Sequence, residues 1–225
     1  MHPAKEVGGD FYDFFLIDQD HCGVVIADVS GKGVPAALFM MRVKALLNQL
    51  LREDLSPDQV LARANDGLCE DNEAGMFVTV WLGVLDLRSG KLVYANGGHN
   101  PPLYRHADGS VEWMRDRSGL LLGSFEGVPY RVFERTMIRG DSLILYTDGV
   151  TEAMDASDHC YGDERLFQLV ERECDGYPAS VSGVIEEDVR AFAEGADQAD
   201  DITLLVLRYD GQENGPAASA AGNRG

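Results

Sequence analysis

The feature that most limits this fold is a set of short apolar, β-branched runs joined in pairs by turns too tight for a crossover. Strand-like segments lie near residues 11–17, 23–27, 77–85, 91–95, 142–147 and 202–209. Asp18-Gln19-Asp20 turns the first into the second, and residues 86–90, with Ser89-Gly90, turn the third into the fourth. Connections this short join antiparallel neighbours.

Two pairs of helices interrupt the strands. Pro35 suits a first helical turn, and residues 36–51 then carry Phe39, Val43, Leu46, Leu47 and Leu50 on one face. Ser56-Pro57-Asp58-Gln59 reads as a capping box opening a helix to about Leu68. Residues 163–174 align Leu166, Phe167, Val170 and Cys174, and Pro178 opens a helix bearing Val181, Ile185, Val189 and Phe192. There is no regular βαβ alternation and no internal repeat, so the expected class is α+β. Residues 1–210 are expected to form the folded domain. Residues 211–225, rich in Gly, Ala, Asn and Ser, are expected to form a disordered tail. The dense segment from Phe11 starts so near the first residue that the chain reads as cut from something longer.

Composition narrows the function. Among 225 residues, 19 Lys and Arg face 38 Asp and Glu, a net charge of −19, which argues against nucleic acid because its binding depends on cationic side chains. Hydrophobic residues make up 45%, enough for a sizeable core. Arg42 and Lys44 interrupt the longest apolar stretch, so no membrane-spanning helix is expected, and the first residues lack the apolar core of a secretory signal. Cys22, Cys69, Cys160 and Cys174 have no metal-site spacing. Cys22 and Cys174 read as core residues in a reducing compartment, and a cytoplasmic protein is expected.

A few acids stand out by position. Asp10, after Gly8-Gly9, precedes the first strand, and Asp28 follows the second. In a hairpin these two ends share an edge. Asp148 closes the 142–147 strand, and Asp200-Asp201 precede the last one. If those strands pair antiparallel, their acids also meet. At 4 Å two like charges repel by about 4 kcal/mol at an effective dielectric of 20. Such a cluster needs protons, cationic side chains or metal. All-oxygen donors select hard ions such as Mg²⁺ or Mn²⁺, which in pairs suit phosphate-ester hydrolysis.

Gly8-Gly9-Asp10-Phe11-Tyr12-Asp13 and Ala27-Asp28-Val29-Ser30-Gly31-Lys32-Gly33-Val34-Pro35-Ala36-Ala37 resemble the first two motifs of the SpoIIE-type protein phosphatases. These form the bacterial branch of the metal-dependent type 2C Ser/Thr phosphatases. Asn96-Gly97-Gly98-His99-Asn100-Pro101-Pro102, Gly119-Leu120-Leu121-Leu122-Gly123, residues 145–152 around Thr147-Asp148-Gly149, and Asp200-Asp201-Ile202-Thr203-Leu204 match later motifs in order. The resemblance covers about residues 3–209 and implies an α-β-β-α sandwich of two antiparallel sheets flanked by helices. It also implies a centre of two Mn²⁺ or Mg²⁺ ions. By the resemblance, Asp28 bridges the ions, the Val29 carbonyl joins one, Asp148 and Asp200 hold the other, and Asp10 acts through water. Asp200 is preferred to Asp201 on the family's order within that pair. The reaction implied is attack of an activated water on phosphoserine or phosphothreonine, with no protein nucleophile. The implied substrate is a phosphorylated regulatory protein such as an anti-sigma factor antagonist in partner switching. An upstream sensor or receiver domain, and homodimerisation through the 36–51 and 56–68 helices, are further implications.

The chain departs from the pattern in places. No Arg precedes Asp10 to hold phosphate, as in many SpoIIE-type relatives, and the family's first helix and strand are largely missing. Lys32 could reach the phosphate, but its glycine neighbours point to a turn before the helix, and His99 is expected to shape its loop. His2, His21, His106 and His159 are expected at the surface. The rival reading is a catalytically silent phosphoprotein-binding module. A nucleotide cyclase does not fit, because only seven residues precede Gly8, and no P-loop motif occurs.

Overall fold

The structure is a computed structural model that describes residues 1–70 and 72–211. The tail expected over 211–225 lies, apart from Gly211, outside the described residues. The chain begins with a hairpin, β1 (Phe11–Leu16) and β2 (His21–Val29), followed by helices α1 (Val34–Leu50) and α2 (Pro57–Cys69). Strands β3 (Val78–Asp86), β4 (Lys91–Gly97), β5 (Leu103–Arg105), β6 (Val111–Trp113), β7 (Phe133–Thr136) and β8 (Ser142–Tyr146) come next. A single helical turn, α3 (Asp148–Thr151), leads to α4 (Asp163–Glu173), α5 (Pro178–Phe192) and β9 (Leu204–Arg208).

The strands form two antiparallel sheets, ordered β1-β2-β3-β4-β7 and β6-β5-β8-β9. Alternation along the strands explains how they stack. In β2, Val25, Ala27 and Val29 turn outward into a core completed by Phe39, Val43 and Leu47 of α1 and Val60, Leu61 and Leu68 of α2. Val24 and Ile26 turn the other way and meet Leu143 and Leu145 of β8 around Trp81 and Tyr94. On β8, Ile144 and Tyr146 face Val181, Ile185 and Val189 of α5. The product is the α-β-β-α sandwich that the motifs implied. Burying a single such aliphatic side chain stabilises by roughly 1.5–3 kcal/mol, so three continuous cores hold the layers firmly.

The helix signals act as their chemistry requires. The Gln59 side-chain carbonyl accepts the Ser56 amide at 3.1 Å, closing the capping box at the start of α2. All four cysteines are free thiols; Cys174 is buried and Cys22 packs partly against the inter-sheet core. His21 and His106 are half-buried rather than fully exposed, each beside a carboxylate, Asp18 and Glu112 respectively. Among the described residues no helix is long and apolar enough to cross a membrane.

Candidate metal centre

The pairing register brings the acids together. Phe11 pairs with Ala27, so Asp10 and Asp28 lie one step beyond the last pair at the same end of the first sheet. In the second sheet Tyr146 pairs with Leu204, and the Thr147 amide donates to the Thr203 carbonyl at 3.1 Å. Asp148 and the Asp200-Asp201 pair therefore leave the second sheet at one edge. Thr147 connects the two edges: its hydroxyl donates to Asp10 Oδ2 at 2.7 Å and accepts the Thr203 amide at 3.1 Å.

Asp200 and Asp201 are adjacent but face different duties. The buried Asp201 carboxylate accepts the amides of Ala4 at 2.7 Å and Gly9 at 2.8 Å, and more weakly that of Asp10 at 3.4 Å. It ties the segment ahead of β1 to the start of the last strand. The same close approach explains the flanking glycines: a Cβ on Gly8 would run into the Asp201 carboxylate, and one on Gly149 into the Asp201 carbonyl. Asp200 is half-buried; it accepts the Asp201 amide at 2.8 Å and pairs with Lys32 Nζ at 2.9 Å. Lys32 also donates to the Ala199 carbonyl.

Electrostatics distinguish this end of the sandwich from an ordinary acidic surface. Burial, reinforced by the charges of Asp10 and Asp148, pushes the Asp28 carboxyl up to about 9. Burial likewise lifts Asp10 to about 7, against the hydrogen bond from Thr147. Asp148 is raised by burial and then by Glu152 and Asp200, and Lys32 eases it only slightly. These carboxyls feel one another, and the leading influences on Asp10 and Asp28 include no cationic side chain. Among the described residues, however, no three His, Cys, Asp or Glu side chains already stand in a closed ligand cage. Mutual repulsion opposes such closure until a cation enters. The donor set is all oxygen and lacks histidine and thiolate, which fits a hard divalent ion.

Beside the acids lies a cleft of about 710 Å³, bounded by α5, the α3 turn and residues 196–202, which shares Lys32, Gly149 and Asp200 with the cluster. His99 is buried away from solvent. Its Nδ1 lies 2.9 Å from the Thr79 hydroxyl, and its backbone exchanges hydrogen bonds with the Asn96 side chain at 2.8 and 3.1 Å. Burial pushes its pKa down to about 4, so the ring is neutral and shapes the 96–99 turn. Sequence reading brought Asp10, Asp28, Asp148 and Asp200 to this edge but missed Thr147. The only available signal was a hydroxyl residue directly before a strand-ending Asp.

Comparison with known proteins agrees with this fold. The family described as Stage II sporulation protein E (SpoIIE) matches residues 18–210. Phosphoserine phosphatase RsbU of Bacillus subtilis is 30% identical over 206 residues, covering 92% of this chain and 61% of that protein. Phosphoserine phosphatase RsbP of the same organism is 28% identical over 208 residues, covering 91% of this chain and 50% of that protein. The chain thus spans only part of the relatives it matches. Among solved structures, the SiaA-PP2C domain of Pseudomonas aeruginosa superposes with a TM-score of 0.80 at 22% identity, covering 93% of this chain and 84% of that one. The RsbU and RsbW domains of Rv1364c from Mycobacterium tuberculosis give a TM-score of 0.72 at 25% identity, covering 93% and 57%. With its motifs in order and its two-sheet sandwich, the chain belongs to the SpoIIE family, and its fold is that of the PP2C domain it superposes on.

Proposed function

We propose that this chain is a divalent-metal-dependent protein phosphatase that hydrolyses phosphoserine or phosphothreonine on a regulatory protein. The observation that carries the reading is the meeting of Asp10, Asp28, Asp148 and Asp200 at one edge, where burial, joined by neighbouring acidic charge, raises the first three carboxyls. Asp28, which feels Asp10, Asp148 and Asp200, would be shared by two ions, and the Val29 carbonyl would join one of them. Asp148 and Asp200 would hold the second ion, and Asp10, already bonded to Thr147, would act through water. Asp201 is left out of the ligand set because its oxygens are committed to backbone amides. Two Mn²⁺ or Mg²⁺ ions bound there supply a water of lowered pKa and positive charge for the transferring oxygens. A magnesium complex of RsbX, which shares the fold at a TM-score of 0.67, supports the choice of ion.

The protein's own share is positioning. The Asp201 strap and the Thr147 bridge hold carboxylates from both sheets in one frame, so their approach to an ion costs little backbone ordering. The adjoining cleft gives room for the chain that flanks a phosphorylated residue. The relatives named phosphoserine phosphatases, RsbU and RsbP, together with the RsbU–RsbW arrangement in Rv1364c, favour an anti-sigma factor antagonist as substrate.

The test is Mn²⁺-dependent release of phosphate from p-nitrophenyl phosphate and from a phosphoserine protein. EDTA and the Asp28→Ala substitution should each abolish it. Turnover that survives either change rejects the mechanism. Metal-dependent capture of the phosphoprotein without turnover would instead favour a silent binding module.

A further inference from the structure

Lys32 is poorly explained as a stabilising residue. It lies between Gly31 and Gly33 in the loop joining β2 to α1, yet its ammonium reaches across to Asp200 at 2.9 Å and to the Ala199 carbonyl. The pair is partly exposed, with 39% and 35% of the two side chains accessible. Pairs of that kind contribute on the order of 0–1 kcal/mol. The location is more telling than the energy. Lys32 is the cation that eases Asp148, it holds the one clustered acid with a full ion pair, and it lines both the cluster and the cleft.

A divalent ion held by Asp200 competes directly with this ammonium. Two positive charges cannot share one carboxylate oxygen without strong repulsion, so ion binding displaces Lys32. The displaced group is a compact charge on a flexible four-carbon stem, with three donors that have lost their Asp200 partner. The cleft also holds the carboxylates of Glu152, Glu186, Glu187, Glu194 and Asp197, but a phosphoryl group brought to the ions would arrive at the Asp200 edge that Lys32 already reaches. Among the described residues 1–9 there is no arginine to perform that task. We propose that Lys32 is a positioning residue with two successive partners: Asp200 in the ion-free protein, and a non-reacting phosphoryl oxygen once the ions are bound. The proposal rests on the phosphatase reading above and adds to it a phosphate-binding side chain that changes partners.

Opposite signs in two measurements test this. In calorimetric titration of EDTA-stripped protein, Lys32→Met should bind Mn²⁺ as tightly as wild type or up to about fivefold more tightly, because a competitor for Asp200 is gone. With Mn²⁺ bound, its affinity for inorganic phosphate should fall about tenfold, as expected for a lost charge-assisted hydrogen bond. KM for p-nitrophenyl phosphate should rise by a similar factor, with kcat changing less, and Lys32→Arg should restore most of both. Weaker Mn²⁺ binding in Lys32→Met would mark the residue as a structural tether and overturn the proposal. Unchanged phosphate affinity would also overturn it. In either case, a wild-type protein that still turns over with Mn²⁺ leaves the phosphatase reading intact. Absence of both turnover and phosphate binding in wild type would remove the two together.

Discussion

Two acidic regions of this sandwich are built on opposite principles. Away from the candidate centre, Asp141, Glu112 and Asp188 each have dedicated donors. Asp141 is buried and accepts the Tyr104 hydroxyl and the amides of Ala107 at 2.9 Å and Ile138 at 2.8 Å. Glu112 meets Arg135, which holds its carboxyl below the usual range. Asp188 takes both ends of the Arg165 guanidinium at 2.8 Å and the Tyr161 hydroxyl at 2.7 Å. At the candidate centre, Asp10, Asp28 and Asp148 are raised instead, because burial and neighbouring acids outweigh what donors they have. A carboxylate kept for structure is neutralised from within the chain. One kept for chemistry is left short of positive charge that only something from outside can provide.

The contrast can be broken most sharply at Asp28. Asp28→Asn should lower turnover by about 10³-fold or more. The metal-free protein should melt no lower than wild type, since Asn is close in size to the carboxyl it replaces, which is raised to about 9, and the change breaks no ion pair. A matching loss of stability would show that Asp28 is structural. The reverse is expected at Asp141: Asp141→Ala strands the buried Tyr104 hydroxyl and two part-buried amides, and the denaturation midpoint should report a loss of about 2–3 kcal/mol. Its Mn²⁺ affinity should be unchanged by titration.

Metal itself should affect only one of the two regions. Mn²⁺ at 100 times its dissociation constant should stabilise the wild type by about 2.7 kcal/mol in chemical denaturation, and much of that gain should vanish in Asp28→Asn. The smallest effect belongs to Asp188. Arg165 and Tyr161 hold its carboxyl below its ordinary value, so its stabilising contribution is present above about pH 4 and fades as pH falls through its folded pKa. Asp188→Asn should therefore cost under about 1 kcal/mol at pH 7, and the gap from wild type should shrink near pH 3. A gap that grows in acid would reverse the assignment.

Much of this was legible in the sequence because the informative residues act locally. The two hairpin turns, the Ser56 capping box and the two-residue alternation of β2 each declare themselves within a few positions. Strands β5, β6 and β7 escaped because three or four residues are too few to show alternation, and their pairing partners supply the order. The α3 turn, four residues long, is too short to show a helical period. The meeting of Asp10 with Asp28 followed from hairpin geometry. The division of labour between Asp200 and Asp201 did not, since it depends on amides at Ala4 and Gly9 nearly two hundred positions away. The reach of Lys32 across 167 positions to the Ala199 carbonyl was hidden for the same reason.

That long reach bears on how the molecule is made. The bond from Thr147 to Asp10 spans 137 positions and the one from Gly9 to Asp201 spans 192, so the corner where they meet has a very high contact order. During synthesis the first hairpin and its helices can condense early, but their acids must wait for the final strand to leave the ribosome. Until β9 has paired, the corner cannot hold its acids together, so a bound ion would report that both sheets have reached their native arrangement.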